Sequence, residues 1–187
     1  MNRKKVIKSF LFLILLLSLF IGGSYRANRI NNPLLRGETM GTTYSIRLSG
    51  TYNKNDLELL ANKINKLLLE INQQMSTWLD NSQISLFNKN YSTNPITVSE
   101  NFYKVVSNSL IIAKNSGGAF DPTLQPLLNL WGFGSESKES KFPSDDDIKL
   151  VLQQTGWGKI ELLNNNQIKK KNGELALALG AIAKGYS

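Results

Sequence analysis

Four short segments of this chain carry residue types whose spacing suits ligand chemistry. Glu38-Thr39-Met40-Gly41-Thr42-Thr43-Tyr44 sets a glycine before a strand and leaves Met40 at its entrance. Met75-Ser76-Thr77-Trp78 closes a helix with a large amphipathic ring. In Ser116-Gly117-Gly118-Ala119-Phe120-Asp121-Pro122-Thr123, paired glycines let backbone approach a ligand closely, and Asp121 can accept hydrogen bonds from an amide or a ribose. Leu179-Gly180-Ala181-Ile182-Ala183-Lys184-Gly185-Tyr186 offers bare backbone at a helix start, where phosphate is favoured, with Lys184 as a nearby cation. Each segment also describes ordinary structure: a turn into a strand, a core tryptophan, a helix C-cap followed by an Asx turn, and a tight strand-to-helix connection.

Composition narrows the chemistry. The 187 residues include neither cysteine nor histidine. Thiolate nucleophiles, disulfides, iron–sulfur clusters, imidazole shuttles and Ser-His-Asp triads are therefore excluded. Any metal must sit among oxygens, which favours Mg²⁺, Ca²⁺ or Mn²⁺. The net charge of +8 is concentrated at one end: residues 1–47 hold eight basic residues against Glu38 alone, and the remainder is close to neutral. No basic stripe with interleaved aromatics crosses that remainder, so nothing points to nucleic acid. The run Lys169-Lys170-Lys171 lies beside Asn172-Gly173, a hairpin signal, and predicts a solvated turn.

The first 23 residues follow their own pattern. Arg3, Lys4, Lys5 and Lys8 precede an apolar run from Phe10 to Ile21, and Gly22-Gly23-Ser24 supplies small residues after it. This is the pattern of a signal peptide or signal anchor over residues 1–23. It places the body outside the cytoplasmic membrane, facing the periplasm or exported. Residues 24–36 are polar and Arg-rich and read as a linker, with folded structure beginning near Gly37.

In the body, Thr42–Leu48 alternates as a strand. Asn55 then caps a long helix, with Glu58 as its reciprocal partner and an apolar face of Leu57, Leu60, Ile64, Leu67, Leu68, Ile71 and Met75. Ser82–Phe87 forms a helical turn, and Ser99 begins a second helix that Gly117-Gly118 stops. Pro122 and Pro126 prevent a regular helix over 119–130, and residues 131–142 form a loop. Ser144 caps a short helix whose Asp145, Asp146 and Asp147 suit its first turn better than a cation site. Lys159–Leu163, Gln167–Lys171 and Glu174–Leu179 read as strands, and Gly180 opens another helix. Strands and helices mix without βαβ regularity. The expected class is α+β, with mixed or antiparallel sheets and packed helices, incomplete at the C-terminus.

Taken in order, the four segments resemble the FAD:protein FMN transferase family, the ApbE type once called thiamine biosynthesis lipoproteins. The matching stretches are E-T-M-G-T-T-Y-S-I at 38–46, M-S-T-W with S-Q-I-S-L-F-N at 75–88, S-G-G-A-F-D-P-T-L-Q-P-L-L-N-L-W-G-F-G at 116–134 and L-G-A-I-A-K-G-Y at 179–186. The resemblance covers residues 37–187, roughly the first half of a typical member. It implies a membrane-associated enzyme that takes FAD with Mg²⁺ and transfers FMN to a threonine hydroxyl of a partner, such as an electron-transfer complex subunit, releasing AMP. It implies that Met40 and Trp78 line the flavin site, that Ala119, Phe120 and Asp121 contact FAD, that Ala181 lends its main-chain carbonyl to the metal, and that Lys184 reaches FAD. The sequence departs from the pattern at Gly22-Gly23-Ser24, where many members have a lipid-bearing Cys, and at Ala178, where they have an Asp. The family's metal-binding Asp and Thr side chains lie in the half not covered. Two alternatives are a non-catalytic remnant that at most binds flavin and a membrane-tethered interaction module.

Overall fold

The computed structural model describes residue 8 and residues 10–18, 28–134 and 142–187, which cluster into two compact units, Met1–Lys66 and Leu67–Ser187. In the first unit, residues 10–18 are helical and exposed. Among the described residues no helix is long and apolar enough to cross a membrane. The charged residues Arg3, Lys4 and Lys5 and the small residues 22–24 of the expected signal lie outside the described residues.

Four strands follow: β1 (Arg29–Asn31), β2 (Leu34–Thr39), β3 (Thr42–Arg47) and β4 (Thr51–Asn53). β2 pairs antiparallel with β3, and β1 with β4. Asn32 N–H donates to the Gly50 carbonyl at 2.7 Å and Leu48 N–H to the Pro33 carbonyl at 2.9 Å, so the two ladders form one long ribbon. The ribbon folds back at Met40-Gly41, both with positive φ (50° and 69°), the handedness a two-residue hairpin needs. The stretch read as a linker over 24–36 thus contains β1 and the start of β2, and strand structure begins at Arg29, ahead of Gly37. The pairing is dictated by residues 42–53 across the hairpin, because 28–36 has too little apolar alternation of its own.

Helix α1 (Lys54–Met75) starts where the β1–β4 ladder ends. Its cap is Asn53, two residues before the expected Asn55. Asn53 Oδ1 accepts from Asp56 N–H at 2.8 Å and Asn53 Nδ2 donates to the Asp56 carboxylate at 2.6 Å. Asn-x-x-acid occurs twice here, and the end of the ladder selects the earlier copy. Within the first unit the helix buries Leu57; within the second it buries Ile71 and Met75, whereas Leu67 is 48% exposed.

The second unit is built around α2 (Gln83–Lys89), β5 (Ile96–Thr97) and α3 (Glu100–Asn115). Ser82 and Ser99 cap the two helices by accepting from Ser85 and Phe102 N–H. Phe102, Val105, Val106 and Ala113 form the buried face of α3, and Phe102 meets Phe87 of α2 at 6.0 Å between ring centres. Gly117 and Gly118 (φ 62° and 86°) end α3, with Gly118 N–H returning to the Ala113 carbonyl at 2.8 Å. α4 (Gln125–Leu130) carries Pro126 in its first turn. α5 (Asp145–Leu152) packs on α4 and shows the expected Ser144–Asp147 capping box, whose hydrogen bonds hold the Asp147 carboxyl below its ordinary pKa. Of the expected polar loop at 135–142, only Phe142 lies among the described residues.

β6 (Ile160–Leu163) and β7 (Gln167–Lys170) complete an antiparallel sheet in the order β5-β7-β6. The expected strand over Glu174–Leu179 alternates as read, with Leu175, Leu177 and Leu179 fully buried, but it joins no ladder. α6 (Gly180–Tyr186) follows and packs on α3. All the described pairings are antiparallel, in keeping with the α+β class.

The lysine run is not a solvated turn. Strand alternation puts Lys170 on the same face as Ile168, and both are 0% exposed. Lys170 Nζ donates to the Asn90 carbonyl at 2.7 Å and lies 4.6 Å from the Phe87 ring centre. Burial pushes its amine down to about 8. Above that pH the unfolded chain holds a proton the native chain has lost, so stability rises with pH until the free lysine itself titrates near 10.4. Denaturant titrations between pH 7 and pH 10.5 are expected to show that rise, at most about 1.4 kcal/mol per pH unit. Lys170→Met is expected to abolish this rise.

Candidate active site

The glycine-rich segment is fastened by a small buried network. Asp121 Oδ1 accepts from Thr123 N–H at 2.8 Å and from Thr123 Oγ1–H at 2.6 Å, closing an Asx turn. Asp121 Oδ2 accepts from Trp157 N–H at 3.2 Å, and Thr123 Oγ1 accepts from Gly156 N–H at 2.7 Å. Thr123 is fully buried. Two residues thereby tie the loop after α3 to the turn before β6. Gly118 lies against the same turn, because a Cβ there would stand 3.5 Å from Trp157 Nε1. Ala119 is exposed, and Phe120 is half-buried with its N–H donating to Ser116 Oγ at 3.1 Å.

Trp78 is displayed by a turn that side chains close from beneath. Ser82 Oγ–H donates to the Ser76 carbonyl at 2.6 Å, and Gln73 Nε2 donates to the Asn81 carbonyl at 2.8 Å. The ring is 72% exposed, so Trp78 is not a core tryptophan.

The segment leading into α6 is held by a side chain that acts like a neighbouring strand. Asn88 Oδ1 accepts from Leu177 N–H at 2.7 Å, and Asn88 Nδ2 donates to the Leu177 carbonyl at 2.9 Å. Ala178 N–H donates to the Pro122 carbonyl at 2.8 Å. Within the second unit these contacts bring together the segments at 82–88, 116–134 and 179–186. α6 starts at Gly180 without a side-chain cap, and Ala181 and Lys184 are exposed on it. Tyr186 O–H donates to Asn101 Oδ1 at 2.8 Å and ties the far end of α6 to α3.

The site residues expected from sequence therefore fall in two places. Met40 sits half-buried at the ribbon tip of the first unit; Trp78, Ala119, Phe120, Asp121, Ala181 and Lys184 belong to the second. Asn88 and Thr123, which organise the second set, were not singled out from the sequence. Both lie inside the quoted motif stretches, but the partners that give them this part, Leu177 and Gly156, are 89 and 33 residues away and beyond any local pattern. A cleft of about 220 Å³ opens among Thr77, Asn88, Gln125, Asn129, Glu174 and Ala176 and includes none of the expected residues. Ala181 lines a second, more open hollow of about 350 Å³ with Asn108 and Tyr186. Among the described residues no three Asp or Glu side chains gather as a metal would require. Among the described residues, therefore, the carboxylates build no Mg²⁺ cage.

Comparison with known proteins identifies the family. The model of the ApbE family matches residues 40–187. The chain belongs to the ApbE family. Proteins named FAD:protein FMN transferase from Buchnera aphidicola and Vibrio cholerae are 36% and 37% identical to it over 82% and 81% of its length. Two solved structures of the flavin transferase ApbE from Vibrio cholerae superpose with TM-scores of 0.78 and 0.75 at 35% identity, covering 84% of this chain and 53% and 50% of theirs. The chain spans just under half the length of those curated relatives, 46% and 45%. Relative to the pattern read for ApbE proteins, Ala178 brings a half-buried methyl where a carboxylate is expected, while its N–H keeps the bond to Pro122.

The network makes Thr123 the most exacting residue of the glycine loop. Thr123→Val preserves shape and strands the Gly156 N–H and one lone pair of Asp121. Chemical denaturation is expected to show a loss of about 1–3 kcal/mol, the cost of an unsatisfied buried donor.

Proposed function

We propose that this ApbE-family chain binds FAD and takes part in transferring its FMN moiety to a threonine hydroxyl of an acceptor protein, with release of AMP. The observation that carries the reading is the pair of main-chain fastenings, Asn88 to Leu177 and Ala178 to Pro122, which hold three motif segments as one constellation. In this reading Trp78 lies against the flavin ring, and Ala119, Phe120 and Asp121 meet FAD along the glycine loop. Both Asp121 oxygens already accept internal hydrogen bonds, so its contribution includes holding that loop in shape. Lys184 supplies a cation to the phosphates.

Such a transfer needs positioning and charge neutralisation more than covalent catalysis, in keeping with a chain that has no cysteine or histidine. The acceptor hydroxyl attacks the FMN-side phosphorus, the phosphoanhydride bond breaks, AMP leaves with the electron pair, and the hydroxyl proton passes to solvent. Mg²⁺ belongs to the proposal with the Ala181 main-chain carbonyl as the ligand this chain offers. The described side chains build no cage for it, and no step is assigned to it. The acceptor is proposed to be a subunit of an electron-transfer complex. The basic residues ahead of the apolar run support a body tethered to the cytoplasmic membrane and facing outward, or exported. Flavin binding without transfer is the second reading, favoured by the lack of a carboxylate cluster among the described residues.

Titration with FAD, followed by flavin and tryptophan fluorescence, tests the reading. Quenching is expected, and its absence would leave only an interaction module. Trp78→Ala and Lys184→Ala are each expected to weaken FAD binding about tenfold while leaving the melting temperature unchanged, because both side chains are exposed. Incubation with FAD, Mg²⁺ and a threonine-bearing acceptor, read as flavin fluorescence retained on the denatured acceptor, separates transfer from binding alone.

A further inference from the structure

We infer that Asn88 is a positioning residue for flavin binding, acting through the Leu177 main chain to set where α6 presents Ala181 and Lys184; the inference rests on the transferase reading above. Residues 175–178 lie outside every helix and ladder, so their polar main chain must find partners elsewhere. For Leu177 one carboxamide supplies both, accepting at 2.7 Å and donating at 2.9 Å. Leu177 stands three residues ahead of Gly180, where α6 begins. α6 has no side-chain cap, and its first turn closes on the Leu179 carbonyl alone, which accepts from Ile182 and Ala183 N–H. Its far end is tied by Tyr186 to Asn101, which leaves Asn88 and the Pro122 carbonyl as the fastenings on the near side.

Asn88 is itself anchored. It lies on the last turn of α2, whose cap Ser82 also donates to the Ser76 carbonyl in the turn that displays Trp78. One short helix thus connects two hydrogen-bonded junctions: Trp78 leaves from the first and the α6 segment from the second. The distance between the ring that meets the flavin and the cation that meets the phosphates is set by that helix, provided Asn88 holds Leu177. Loss of the carboxamide would loosen the approach to α6 without touching any residue assigned to FAD.

The test uses the full chain, its Asn88→Ala and Asn88→Asp variants, FAD titration, circular dichroism and amide exchange at Leu177. The expected result is native circular dichroism, fast Leu177 exchange and FAD affinity lowered tenfold or more for Asn88→Ala. Asn88→Asp carries an acceptor alone at pH 8 and regains a donor once protonated, so its affinity relative to the unsubstituted chain should recover toward pH 4. If Asn88→Ala destabilises the fold, Asn88→Asp alone decides by this recovery. Fast Leu177 exchange with unchanged FAD affinity, or no recovery of Asn88→Asp at acid pH, overturns the inference and leaves the transferase reading standing. No FAD binding by the unsubstituted chain overturns both.

Discussion

A buried stretch of chain that joins no ladder is the constraint around which the second unit is organised. Leu175, Leu177 and Leu179 must be buried, and burying them takes their peptide groups out of water as well. The unit meets that demand with a carboxamide from α2 and a carbonyl from the glycine loop, not with a strand. Because each partner comes from a different motif segment, satisfying one stretch of backbone also draws the motif segments of this unit together. Fold and candidate site share the same few hydrogen bonds.

A division of labour follows from burial. Thr123, Asn88 and the caps Ser82 and Ser99 lie inside or half inside and direct polar atoms at backbone. Trp78, Ala119 and Lys184 stand outside. The inner set decides geometry and is costly to alter, because an unmet buried donor loses a full hydrogen bond. The outer set is free for a ligand and contributes little to folding. Asp121 bridges the two, with both oxygens engaged and its loop open on the other side.

The sequence foretold best what is decided locally. Ser99 reads as a helix start and Ser144 as a cap; both sit one position ahead of their helices and cap them, with partners three residues on. The Gly117-Gly118 stop is equally local. Pairing across distance was not visible. β1 and β2 are strands because residues 42–53 lie beside them, and their own sequence reads as polar linker. Asn55 lost its cap to Asn53 because a ladder ended there. The same division applies to the site: Trp78 and the glycine loop stood out by residue type, whereas Asn88 and Thr123 matter through partners far along the chain. Leu175–Leu179 shows how a correct period can mislead, since alternation reports burial on one face and not the presence of a neighbouring strand.

Buried Lys170 has a consequence for what can replace it. The pocket offers carbonyl oxygen and the face of an aromatic ring, a setting for one compact cation on a slim stem that is able to shed its proton. Arginine keeps its charge at any pH that proteins endure and carries five donors on a planar fork. At this position an exchange between the two basic residues, ordinarily the mildest on a protein surface, would seal in a permanent charge with most of its donors unanswered. Among relatives that keep this strand buried, drift should run from lysine toward methionine or leucine and pass arginine by.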